Sequence, residues 1–550
     1  MIAKAAATPE VATELTAWLR QPSGTQTLRP IQAQALLQLI LYGGLFAVAR
    51  VGAGKTLIAG LAAVVTGAVR PLIVVPSGLR AETEAHLAAL RQHWRIPHVR
   101  VIGYHDLSSK TKGPKLLDDF APDLLVFDEV HRLKRKQDAA CARRVARYLH
   151  ERPATKVAGL SGTIVRRSFR DYAHLLRWTC KRHAPIPYGD DLIKAWALCL
   201  DDDEGNPDTW HTPDFSLLEP ILGGPIHNKE QARERFATAL DSTPGVVISR
   251  DGFDAVGLAI NPIRIETPDN MVEAWRLLRK EAVVAADDWP LPDKQTVWAI
   301  AQQYALGFCY IHDPRPPEDW MQRRREWCGF CRRVLEDSLS YDTETQVRDA
   351  CLRGDLPDHA WRAWDAVRES FVPNTVPVWF SHHALLAAAD WGQQGGIVWT
   401  SHTAFAVALA EATGWPYYGE KGIDHRTKRH IRVATEPTII ASVRANIEGR
   451  NLQIDCGPDG KGYCRNLFCS PSKASADWEQ QGGRTHRDRQ TRDVTIDYFV
   501  GCRENFVALE TALCNARTTT EEVFRITPKL LQAGVEIRLP SADWAIGEAY

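Results

Sequence analysis

The chain has 550 residues, of which 45% are hydrophobic and 24% charged, and Lys+Arg and Asp+Glu are equal at 67 each. At roughly 100–200 residues per domain this length predicts about three units, with an ordinary globular composition. A formal charge of zero excludes a uniformly basic nucleic-acid coat, so any polyanion site has to be a local strip.

Twelve cysteines in so long a chain read as buried thiols in a reducing cytosol, not as a disulfide framework. Near the start, Glu10 and Glu14 fall where a signal peptide needs an unbroken apolar core. The apolar stretch between Lys55 and Arg70 is shorter than the ~20 residues of a membrane span. The expectation is a cytoplasmic protein with no membrane partner.

In chain order, LFAVA at 45–49 predicts a short buried strand, and TLIAGLAAVVTGAV from Thr56 an alanine-rich helix. Between them lies RVGAGK, which makes the unit a strand, a glycine loop and a helix. That context turns GKT into a phosphate cradle. Gly52 and Gly54, with Ala53 between them, let backbone N–H groups converge on phosphate. Lys55 supplies a charge to the β- and γ-phosphates, and the Thr56 hydroxyl a ligand for Mg²⁺. PLIVVPS from Pro71 and VRVIGY from Val99 predict further strands, with AETEAHLAALRQH helical between them.

DLLVFDEVHRLK then places a strand at 124–127 that ends in two acids. Asp128 is positioned to orient Mg²⁺, and Glu129 to act as base toward an attacking water. KVAGLSGT from Lys156 gives another strand. Strands alternating with helices predict a parallel sheet, with the ligand at the strands' carboxyl ends, where Gly54, Asp128 and Ser161 fall. DDDEGNPDTWHTPD from Asp201 reads as a decorating loop. From Met271 to Gly395 apolar residues recur at three- and four-residue spacing, as in HAWRAWDAVRESF, which predicts helices. This stretch carries CGFC, with Cys328 and Cys331. Without a clean second pair these read as core thiols, and zinc is not expected. Trp320, Trp327, Trp361 and Trp364 read as core before base-stacking platform. The basic runs QRRREW and RRSFR fit phosphate contacts or exposed faces equally well.

Taken together, the segments resemble superfamily 2 helicases and translocases. A-x-x-G-x-G-K-T from Ala49 is similar to that group's phosphate loop. LRPIQAQAL resembles its adenine-recognition segment, with Arg29 and with Gln32 in the contacting position, although Ile31 replaces the usual aromatic residue. DEVH at 128–131 looks like the DExH box. LSGT at 160–163 is similar to the motif that couples hydrolysis to lobe movement, which gives coupling roles to His131, Ser161 and Thr163.

The closer resemblance is to Swi/Snf-type double-stranded DNA translocases. VVPSGLRAETEAHL, with Pro76 and Ser77, resembles their motif along the nucleic-acid backbone. SGTIVRRSFRDYAHLLRW is similar to their run from the coupling motif into a helix, with Ile164 in place of the usual proline. GGIVWTSHTAFAVALAEATG and TIIASVRANIEGRNLQ resemble second-lobe motifs. The latter carries Ser442 and Arg444 as nucleic-acid contacts, but lacks the glycine pair expected at Asn446 and Ile447. EQQGGRTHRDRQ fits both QxxGRxxR and the Swi/Snf-like RxHRxxQ ending. The resemblance makes Arg487 an arginine finger, Arg484 its neighbour, and Gln480 a contact to the γ-phosphate or the water.

The expected fold is therefore α/β: two RecA-like lobes with parallel sheets at 1–250 and 395–550, joined by a linker and mainly helical insertion at 251–394. The expected function is ATP hydrolysis with Mg²⁺, stimulated by nucleic acid and driving movement along DNA, double-stranded by the closer resemblance. A protein partner is expected at the 271–394 insertion. Two alternatives stand beside it: a strand-separating DNA or RNA helicase, and an ATP-switched clamp or recruitment subunit with negligible turnover.

Overall fold

The computed structural model describes residues 4–49, 53–133, 140–162, 168–201, 213–249, 256–281, 283–286, 289–290, 294–337, 344–372, 374–447, 450–487, 489–517, 522–532, 534–541 and 544. It is a mixed α/β chain with two large parallel sheets of six and seven strands. Two compact units divide it: Met1–Asp251 with Gln322–Ala366 and Arg517–Thr527, and Gly252–Met321 with Val367–Ala516 and Pro528–Tyr550. Residues 251–394 are thus shared out between the units in this partition.

The first unit begins with α1 (Pro9–Leu19) and α2 (Pro30–Tyr42), each with a proline in its first turn, where the missing N–H costs nothing. Six strands follow: β1 (Gly44–Val48), β2 (Pro71–Val75), β3 (Arg100–Gly103), β4 (Leu124–Asp128), β5 (Lys156–Ser161) and β6 (Val246–Ile248). They run in the order β3-β2-β4-β5-β1-β6, every pairing parallel. Both faces are covered, which is why the strands read as unbroken apolar runs. Phe46, Val48, Leu125, Phe127 and Val157 pack into one core. Their alternates Leu45, Ala47, Leu124, Val126 and Ala158 pack into the other. Three further helices bear on the site: α3 (Lys55–Thr66), α4 (Arg80–Leu90) and α5 (Tyr104–Ser108).

In the second unit β7 (Leu258–Arg264) precedes a short antiparallel pair, β8 (Val283–Val284) and β9 (Trp289–Pro290). A two-stranded antiparallel ribbon comes next, β10 (Phe308–His312) with β11 (Thr375–Trp379). Then come β12 (Gly396–Thr400), β13 (Tyr417–Tyr418), β14 (Thr438–Ser442), β15 (Arg465–Phe468), β16 (Val494–Val500) and β17 (Val535–Ile537). The sheet order is β13-β14-β12-β15-β16-β7-β17. Ile397, Trp399, Ile439 and Ile496 fill one side of it, and Val398, Ile440, Leu467 and Phe499 the other.

The helices within 271–394 are Val272–Arg276, Lys294–Ala305, Glu318–Asp337, Glu344–Arg353, His359–Asp365 and His383–Gly392. Trp320, Trp327 and Trp361 are buried, and Trp364 packs beside the last two. Among the described residues no helix is long and apolar enough to cross a membrane.

Leu125 is fully buried in the core on one face of the first sheet. Leu125→Ala is expected to destabilise that unit by about 2–5 kcal/mol, measured as a lower urea midpoint at unchanged slope. A loss below about 1 kcal/mol would contradict that packing.

Candidate functional site

Strand β5 pairs with β4 on one side and β1 on the other. The chain therefore leaves all three strands side by side at their carboxyl ends, where open α/β sheets bind ligands. After β1 come Ala49 and, past the undescribed residues 50–52, Gly54 with φ +81° as the cap of α3. The left-handed backbone at that position favours glycine. Gly52 lies outside the described residues, as does Thr163. Ala53 is buried, and Thr56 occupies the first turn of α3. That helix end presents backbone N–H groups with no intrahelical partner, the arrangement that receives phosphate.

Lys55 opens α3 and folds back across the strand ends. Its Nζ donates to the Ala49 carbonyl at 3.1 Å and lies 3.7 Å from Glu129 Oε1. Glu129 has φ +54°, a left-handed conformation that in a non-glycine residue costs on the order of 1–3 kcal/mol and gathers at functional sites. Its other carboxylate oxygen accepts from Ser161 Oγ at 2.9 Å, and His131 Nδ1 stands 3.4 Å away. Ser161 and His131 are themselves 2.8 Å apart. Because Ser161 spends its single hydrogen on Glu129, His131 carries its proton on Nδ1 and Ser161 accepts it.

Burial alone raises the Glu129 carboxyl. Against it stand Lys55 first, then His131 and Ser161; together they outweigh burial, and the carboxyl is held far below its ordinary value of 4.5. The structure thus brings together Lys55, Glu129, His131 and Ser161, expected from three separate segments. Asp128 ends β4 immediately before them. Hydroxyl and carboxylate oxygens are the hard donors Mg²⁺ prefers, so Thr56 and Asp128 fit that ion by donor chemistry. Tyr104, which the sequence gave no reason to single out, donates its hydroxyl to the Asp128 carbonyl at 2.9 Å and to that of Glu129 at 3.3 Å.

Gln32 is buried, and its amide serves the loop: Nε2 donates to the Ala53 carbonyl at 3.0 Å, while Oε1 accepts from the Arg29 backbone at 2.9 Å. An adenine contact would require that amide to change partners. Pro76 follows β2 and is buried, and Ser77 beyond it is exposed, its Oγ accepting from the His105 backbone at 2.9 Å.

In the second unit Ser442 ends β14 and Arg444 is exposed on the short helix Val443–Asn446. Gln480 and Arg484 are buried. Arg484 donates to the Gln480 carbonyl at 2.9 Å and the Arg450 carbonyl at 3.1 Å. Arg487, less buried, donates to Asn451 Oδ1. Arg450, overlooked from sequence although it sits inside a quoted motif, has only 3% of its surface exposed. Its guanidinium donates to the Lys421 carbonyl at 2.9 Å, and its Nε has no hydrogen-bond partner among the described residues. Burial, with Arg432 nearby, pushes it down to about 10.

Among the described residues no three His, Cys, Asp or Glu side chains gather as metal ligands. Cys331 is buried in a helical core, and the Cys328 side chain is outside the described set. No protein-family model matches this chain, and no curated protein matches its sequence.

The Glu129 environment gives a pH dependence of definite sign. A carboxyl held low when folded contributes stability that is complete above about pH 4.5 and is lost as pH falls toward the folded value. Urea unfolding of the parent and Glu129→Gln between about pH 7 and about pH 3 should show the parent's relative stability shrinking as acid is added. A difference constant across that range would mean that Lys55 does not hold this carboxylate.

Proposed function

We propose that this chain is a nucleic-acid-stimulated ATPase of the superfamily 2 helicase/translocase type, built on two RecA-like lobes and moving along duplex DNA. The observation that carries the proposal is the convergence of Lys55, Glu129, Ser161 and His131 beside the Gly54 turn, at the ends of three adjacent parallel strands. A lysine at a helix N-terminus and a half-buried carboxylate beside it are the parts that phosphoryl transfer to water needs.

The electrostatics support an ordered use of these groups. Before nucleotide arrives, Lys55 and Glu129 neutralise each other. A triphosphate in the cradle recruits the Lys55 ammonium to its own oxygens and removes the strongest influence holding Glu129 low. Burial then raises the carboxyl's proton affinity, so that it becomes a better base toward an aligned water. Ser161 and His131 keep its second oxygen oriented. Mg²⁺, held by Thr56 and Asp128, would offset charge on the phosphate oxygens. Arg484 and Arg487, with Gln480, are proposed as the second unit's phosphate-binding groups. Gln32, Arg29 and Ala53 brace the loop. Pro76, Ser77, Ser442 and Arg444 are proposed to meet DNA phosphates, an interaction that ignores base sequence and weakens steeply with salt.

ATP turnover measured with duplex DNA, single-stranded DNA and RNA tests the proposal. Duplex DNA is expected to stimulate most. Glu129→Gln is expected to keep ATP binding and lose about 10²–10⁴ in turnover, and Arg487→Ala about 10³ or more. Turnover unchanged in Glu129→Gln removes the base from this scheme, and a parent that binds ATP without hydrolysing it favours the switch alternative.

A further inference from the structure

The first unit contains a short physical connection between the turn proposed to meet DNA and the carboxylate proposed to activate water. It begins at Ser77, in the exposed turn after β2. Ser77 Oγ accepts the His105 backbone N–H at 2.9 Å. Beside it the contact is tighter still: a Cβ on Gly103 would lie 2.6 Å from Ser77 Oγ and 2.9 Å from Ser77 Cα. The turn after β2 and the end of β3 therefore touch backbone to backbone, with no slack between them. Gly103 and His105 flank Tyr104, which is 5% exposed. Its ring packs with Ile102, Leu107 and Phe127 in one core, and its hydroxyl holds the Asp128 and Glu129 carbonyls. Those two carbonyls bracket the left-handed turn at Glu129.

We infer that Tyr104 is a positioning residue that relays occupancy of the Ser77 turn to the Glu129 carboxylate, and so sets how far DNA stimulates ATP hydrolysis. The inference rests on the ATPase proposal above and adds to it the route by which one site biases the other. The bistable element is the Glu129 turn. A non-glycine residue stays in the left-handed region only while its surroundings hold it there, and the Tyr104 hydroxyl is the group that bonds both of its flanking carbonyls. A phosphate drawn to Ser77 accepts the hydroxyl hydrogen and turns the Oγ away from the His105 N–H that it accepts. Movement of 103–105 follows because Gly103 has no free space against Ser77, and Tyr104 moves with its neighbours. The carboxylate then shifts relative to Lys55 and to an attacking water, where small displacements change rate strongly. Coupling of this kind needs two sites and a connecting element with two arrangements.

Tyr104→Phe keeps the ring and removes the hydroxyl. In ATP turnover assays with and without saturating duplex DNA, the variant is expected to keep the parent's KM for ATP and half-saturating DNA concentration. Its DNA-stimulated kcat is expected to fall about 3- to 10-fold, the effect of one net hydrogen bond. Gly103→Ala drives a Cβ into Ser77 without touching that hydroxyl, and is expected to lower the same stimulation. The double variant should lose no more than the worse single variant, because both act on one route. Stimulation equal to the parent's in Tyr104→Phe, or losses that multiply in the double variant, overturns the relay. A rise in KM with kcat preserved overturns it too, since that pattern marks a nucleotide contact. Should Tyr104→Phe fail to fold, Gly103→Ala decides alone by the same ratio. A parent that DNA does not stimulate at all defeats the ATPase proposal itself, an outcome separate from loss of stimulation in the variants.

Discussion

The site depends on how β5 is paired. Val48 stands opposite Ser161, and Asp128 opposite Leu160, so three strands end within about a residue of one another and release their chains at one level. A shift of one residue in either pairing would turn alternate side chains from one core to the other, and both cores here are apolar and full. The register that buries Phe127 and Leu160 is the one that sets Glu129 beside Ser161. Packing of the sheet and assembly of the polar group are therefore one constraint.

Within that frame opposite charges hold each other. A half-buried carboxylate next to a lysine is tolerable because each neutralises the other in a medium that solvates neither well. The same pairing makes the site responsive, since any anion that takes Lys55 leaves Glu129 in surroundings that favour protonation. Arg450 in the second unit presents the contrasting case. It is buried to 97% with its Nε lacking a partner among the described residues, and burial is what lowers its proton affinity.

The strands were legible because strands buried on both faces have to be apolar throughout; LFAVA, PLIVVP and DLLVF carry that signal in a few letters each. The loop between β1 and α3 was legible for a different reason, since glycine, lysine and threonine at fixed offsets state a backbone geometry and a charge locally. Other features leave no local trace. β7 was not among the strands legible in the sequence, and only its pairing to β16 and β17 makes it an inner strand of the second sheet. Gln32 suggests a ligand contact, yet its amide is engaged by Arg29 and Ala53. Tyr104 follows a strand like many tyrosines, and its significance lies in a hydroxyl reaching residues 24 and 25 positions away.

The amino-acid sequence by itself determined where several of the first unit's strands and helices fall, that glycines open the loop after β1, and which side chains carry charge or a nucleophilic oxygen. Those properties follow from local sterics, apolar periodicity and chemistry, which a short window contains. Tertiary structure alone decided that Lys55 meets Glu129, that Ser161 and His131 share its second oxygen, and that Tyr104 braces the turn between them. These contacts span tens of residues and exist only after the sheet has closed in register, because hydrogen-bond and charge geometry at 3–4 Å is set by the packed core and not by any neighbour in the chain.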